Sequence, residues 1–239
     1  MLTRFHDHAA SQIGISRRAA AWIASLGCLL PGVIAVGLAL PASREGTLWI
    51  VTGERRPVEI LTALILFIAA GIGVSLVNRL RKSGAGWLPV GFFGFFAAGL
   101  LLVALEEIAW GQWIYRYPTP DFIRSWNQQG EVTLHNVGAL QGNNEYLRMV
   151  FGFGGIAGVG IGYLSSFRRI AVPVVVMPWF LSIATLAALE AYVSGGRLFL
   201  HKRITTVIFQ MGEATELLIA IAGLLYVVLR RRHLDAEVA

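Results

Sequence analysis

Charge is what this sequence has least of. Only 14% of its 239 residues are Asp, Glu, Lys or Arg, against about 25% in an ordinary soluble domain. With 56% hydrophobic residues and a mean hydropathy of +0.64, that scarcity excludes a typical soluble globule and places the chain in the membrane class. Cysteine is nearly absent as well. Cys28 is alone, which excludes an intrachain disulfide and leaves the redox compartment open. Its setting, SLGCLLPG, has Ser25 rather than an apolar residue three positions earlier and lies in mid-segment, so lipidation is not expected. The first apolar stretch is longer than a signal-peptide core, so cleavage is not expected either. A basic recognition face is also missing. The net charge is +6, but Lys and Arg fall in short clusters between apolar segments, as topology signals do. No basic surface with interleaved aromatics emerges, which argues against nucleic acid. Without internal repeats or low-complexity tracts, residues 1–239 read as one domain.

What is present is a series of apolar runs. A hydrocarbon core about 30 Å thick needs about 20 apolar residues per helix, and six segments qualify: 19–41, 58–78, 86–113, 149–167, 170–194 and 204–229. The expected fold is all-α, a polytopic bundle of about six transmembrane helices with short tails at 1–18 and 230–239. Pro31 should kink the first span, and Pro173 and Pro178 sit near the start of the fifth. In the fourth, Gly154, Gly158 and Gly162 recur every four residues, a smooth strip for close helix packing or for a membrane-protein partner.

Orientation follows from short-loop cations. With the N-terminus cytoplasmic, eleven basic residues lie inside, including the RLRK and RRR clusters, and nine lie outside with six acids. The tight clusters favour both termini inside a bacterial cytoplasmic membrane. Segment 114–148 is the one long connection, an outer capping loop. Pro118 and Pro120 enforce an extended start, and PDFIRSW then reads as a short amphipathic helix lying on the bilayer. Trp110, Trp113, Tyr115, Tyr117 and Trp126 suit an interfacial aromatic belt.

Against this background the acids stand out. Glu106 and Glu107 fall about 10 Å below the outer end of the third span, and Glu190 about 8 Å below that of the fifth. Glu213 and Glu216 lie in the sixth, which His201 precedes. Glu131 and His135, four apart, belong to the outer loop. Thr206, Gln210 and Glu213 share one helix face, and so do Glu106, Trp110 and Trp113. Each ionised carboxylate at mid-membrane costs about 2.5–3.5 kcal/mol, so compensation is required. The acids could be held protonated, could pair with Arg116, Arg124, Arg148, Arg197 or Arg203, or could bind a cation.

Carboxylates with imidazoles form the ligand set of two-metal sites in helical bundles and of zinc hydrolases. On that reading Glu106, Glu107, His135, His201, Glu213 and Glu216 are candidate ligands for iron, manganese or zinc. Glu131 or Glu190 is then the general acid or base. The Glu-x-x-His and H-E-x-x-H spacings are both missing, so the constellation carries no recognised motif.

EEIAWGQWIY, then TPDF, then NQQGEVTLHN resembles a pattern of uncharacterised bacterial multi-pass membrane proteins. There an E-E-x-x-W-G-Q helix end leads through a T-P turn to N-x-Q-x-E-x-x-x-H-N. The likeness covers about residues 106–136. It implies that Glu106, Glu107, Trp110, Gln112, Asn127, Gln129, Glu131 and His135 form a unit, and no activity comes with it. Three functions follow as expectations: a metal-dependent enzyme acting on a lipid or lipid-linked substrate, a non-catalytic subunit of a larger membrane complex, or a proton or cation transporter.

Overall fold

The computed structural model describes residues 13–52, 56–125, 132–133 and 143–238, and among them every regular element is helical. The α-helices are α1 (Arg17–Ala39), α2 (Pro41–Val51), α3 (Pro57–Lys82), α4 (Trp87–Glu107), α5 (Gln112–Tyr115), α6 (Asp121–Arg124), α7 (Asn144–Gly160), α8 (Met177–Ser194), α9 (Lys202–Gln210) and α10 (Gly212–Val238). Five stretches are long and apolar enough to cross a membrane: α1, α3, α4, Val174–Ser194 and Lys202–Leu234. By length and composition these helices suit a polytopic helical membrane protein.

The expected fourth span differs. Its helix, α7, starts earlier than expected and has 17 residues, about 26 Å at 1.5 Å each. Beyond Gly160 the path continues in 3-10 turns at Ile161–Tyr163 and Ser165–Phe167. The expected sixth span is two helices, α9 and α10, broken at Met211. The connection after the first span, expected as a loop, is largely the helix α2, which opens on Pro41 at its first turn.

Local chemistry explains the joints. Ser16 caps α1 by accepting the Ala19 N–H at 3.1 Å. Pro31 stays inside α1 without ending it. Lacking an N–H, it frees the carbonyl of Gly27, and the Ser182 hydroxyl of α8 donates to that oxygen at 2.7 Å. One turn earlier the Trp179 indole N–H donates to the Ile23 carbonyl at 2.8 Å. Close approach here depends on Gly27, since a Cβ would lie 2.9 Å from the Trp179 backbone nitrogen.

α3 and α4 form one antiparallel pair and α7 and α8 another. α10 runs between them with Ala214, Leu218, Ala220, Ala222 and Val227 fully buried. Large apolar side chains such as Trp22, Leu64, Phe95 and Val150 face outward, 54–83% exposed, as lipid-facing positions do. The helix directions sort the bundle into two ends. The first turns of α3, α7 and α10 and the last turns of α4 and α8 bring acids to one end. The other end collects Arg81 and Lys82, Arg168 and Arg169, and Arg230 to Arg232. There the Tyr226 hydroxyl donates to the Ile170 carbonyl and Arg230 to that of Ala171.

Candidate functional site

At the acidic end, helix α7 carries the residue that organises the others. Arg148 lies in the second turn of α7 and is 11% exposed at its side chain. Its Nη1 donates to Glu190 Oε2 of α8 at 2.6 Å. Its Nε faces Glu216 Oε1 of α10 at 3.3 Å as an ion pair without hydrogen-bond alignment. One guanidinium thus joins three helices. Room for it comes from Gly212, where a Cβ would stand 3.1 Å from Nη1.

Around this centre the remaining acids gather. Glu107 lies within electrostatic reach of Glu216, Glu213, Glu59 and Arg148. Glu213 lies within reach of Glu216, Glu59 and Glu190. Neither Glu107 nor Glu213 has an ion pair or hydrogen bond with a described residue. Glu145, assigned to the outer loop on sequence, is 6% exposed in the first turn of α7, and the Ser194 hydroxyl donates to it at 3.0 Å. A cavity of about 370 Å³ opens beside the network, lined by Arg148, Glu190, Gln210, Glu213, Thr52 and Thr206 among others. Thr206, Gln210 and Glu213 therefore all face it, as their spacing predicts. Gln210 Oε1 is buried there without a hydrogen bond.

Other expected members lie apart. Glu106 accepts the Trp110 indole N–H at 2.5 Å, although α4 ends at Glu107 and the expected run to residue 113 is not helical throughout. The reason is a left-handed turn: Ala109, Trp110 and Gly111 take φ of 45°, 54° and 85°, which the right-handed helix cannot accommodate. Beyond it, the Gln112 side-chain amide donates to Thr119 Oγ1 at 2.8 Å and accepts the Val132 N–H at 2.8 Å. It ties the start of the long connection to its middle. His201 is exposed and its Nδ1 accepts the Arg203 N–H at 3.3 Å, capping α9. Glu131 and His135, with Asn127 and Gln129, lie outside the described residues.

Among the described residues no group of three or more His, Cys, Asp or Glu is disposed to hold a metal ion, and His135, one of the six expected ligands, lies outside them. A guanidinium sits among the carboxylates at this end. Of the five arginines that could have neutralised the acids, Arg148 is the one that does so. Arg203 instead donates to the Ala39 carbonyl at 2.6 Å, and Arg124 pairs with Asp121 at 3.5 Å.

The expected glycine strip also divides, with Gly162 in the 3-10 turn that follows α7. Gly158 and Gly162 face Val172 and Ala171, whereas nothing lies within 4 Å of a Cβ at Gly154. Gly152 and Gly155, not part of the expected strip, make the closest approach to α8, at Ala184 and Phe180. Two of the three expected positions are thus used within the chain rather than free for a partner. Comparison with protein-family models, curated proteins and solved structures gives no match, and the likeness over residues 106–136 gains no support from it.

Proposed function

We propose that the chain is a membrane enzyme of the bacterial cytoplasmic membrane, with both termini cytoplasmic, whose acidic chamber performs metal-independent acid–base chemistry on a lipid or lipid-linked substrate. The observation that carries this reading is the cavity itself. It opens at the acidic end of an otherwise apolar bundle and is lined by Arg148, Glu190 and Glu213. Glu213 faces it without a described partner and is the candidate proton donor or acceptor. Glu190 and Glu216 are occupied by Arg148 and serve to position it. A general acid or base contributes about 10²–10⁴-fold to a rate. Glu213→Gln should therefore lower lipid turnover by at least about 100-fold while leaving the fold intact. The assay is mass spectrometry of lipids incubated with protein in nanodiscs. Absence of any lipid product from the native protein would refute the enzymatic reading, and stoichiometric iron, manganese or zinc in the purified protein would refute its metal-free form.

A second reading is favoured by the Arg148 network, since an ion pair joining α7, α8 and α10 also suits a non-catalytic subunit of a membrane complex. Under it, Glu213→Gln changes no lipid and the protein copurifies with a stoichiometric partner.

A further inference from the structure

The opposite end of the bundle holds a second cavity, of about 180 Å³, lined by Ser165, Arg168, Arg169, Arg230, His233 and Leu234. No lining residue is acidic. Its walls come from two places: the 3-10 turns that follow α7 and the last part of α10. They are fastened together by the Tyr226 hydroxyl on Ile170 and the Arg230 guanidinium on Ala171. Arg230 is only 7% exposed, so its charge is built into the wall rather than swinging in solvent. Arg168 and Arg169 are exposed and make no ion pair with a described residue. Arg168 and Arg169, with Arg230 in the wall and His233 beside them, gather basic side chains around one small cavity. Ser165 adds a hydroxyl. Beside it Tyr163 and Leu164 are 84% and 55% exposed, an apolar shoulder at the level where the spans end.

We propose that this basic cavity binds a phosphate group, carried either by the headgroup of an anionic phospholipid or by a free phosphate ester. Arginine forks match the paired oxygens of phosphate, and basic pockets between helices at a membrane surface take anionic headgroups. The exposed Tyr163 and Leu164 favour the lipid, whose acyl chains would lie along them while Arg168 and Arg169 close over its phosphate.

The test uses the purified full-length protein in neutral detergent, titrated with phosphatidylglycerol, phosphatidylcholine or inorganic phosphate and read by native mass spectrometry. Phosphatidylglycerol should be retained about tenfold better than phosphatidylcholine. The double variant Arg168→Gln/Arg169→Gln should lose roughly 10–30-fold of that affinity, the scale for two basic residues at an anionic surface. Both side chains are exposed, so the fold is not at stake. Arg81→Gln/Lys82→Gln, two exposed cations on the same end but outside the cavity, serves as the control and should lose little. Binding of inorganic phosphate without preference between the two lipids would support the phosphate site and assign it to a free ester. Equal losses in both double variants, no loss in either, or retention of neither phosphatidylglycerol nor phosphate would overturn the proposal.

Discussion

A single arginine decides how the acidic end is held together. Removing one partner of a buried pair leaves the other charge uncompensated, at about 3–5 kcal/mol. Arg148 faces two such partners, with side chains 14% and 26% exposed. Arg148→Gln should therefore destabilise by about 3–5 kcal/mol, measured by thermal unfolding in detergent. Arg148→Lys should recover part of this, since an ammonium supplies the charge without the fork that reaches two helices. A Gln variant within about 1 kcal/mol of the native protein would show that the pairs contribute nothing. The acids were legible as outliers because carboxylates in apolar runs are conspicuous. Their cation was not, because eight arginines occupied the expected outer segments and only the packing of α7 against α8 and α10 selects among them. Glu59 and Glu145 were missed for a related reason. Each sits in the first turn of its helix, where sequence alone cannot distinguish a loop acid from a buried one. His201 read as a ligand because histidine near acids suggests metal, and its capping bond to Arg203 is a local backbone effect.

At the level of helices, composition foretold existence better than boundaries. Apolar length located α1, α3, α4 and α8, yet α4 stops at Glu107 although apolar and aromatic residues run on through Tyr115. The left-handed run at Ala109–Gly111 ends it, and nothing but Gly111 signals that conformation. α2 escaped notice because PASREGTLWIV is too polar for a span, though its Pro41 start is a helix signal. The α7–α8 seam gives a sharp contrast between neighbouring glycines. A Cβ at Gly152 would meet the Ala184 backbone nitrogen at 2.7 Å, while one at Gly154 would meet nothing within 4 Å. Gly152→Ala should cost about 1–3 kcal/mol by overpacking. Gly154→Ala should be neutral or stabilising by up to about 1 kcal/mol through helix propensity. Equal melting temperatures for the two variants would contradict the observed seam.

For the whole molecule, the two ends differ in sign. Arg148 stands near the start of α7 at the acidic end, and Ile170 meets Tyr226 at the basic end. The chain therefore traverses the bundle between them even though α7 alone is short. Arg17, where α1 starts, and the last turns of α10 thus lie at the same end. Cation-rich ends face the cytoplasm. In a Cys28→Ser background, Phe199→Cys should react with a membrane-impermeant thiol reagent added outside intact cells. Trp87→Cys should react only after the membrane is opened. The reverse pattern would invert the topology and place the acidic chamber on the cytoplasmic side. The all-helical, membrane-spanning class was legible from hydropathy alone, because lipid requires every backbone group to be satisfied within helices. Pairing between helices was not, since lipid-facing and core-facing residues are equally apolar here.

The carbonyl left open by Pro31 has a bearing on biosynthesis. Its donor, Ser182, lies 155 residues further along the chain, and ribosomes add about 5–20 residues per second. The first helix therefore waits on the order of 10 s in the bilayer with an incomplete backbone before its complement has been made. A nascent chain halted before α8 would keep that defect, and quality-control proteases that sample unfinished membrane helices would find it there.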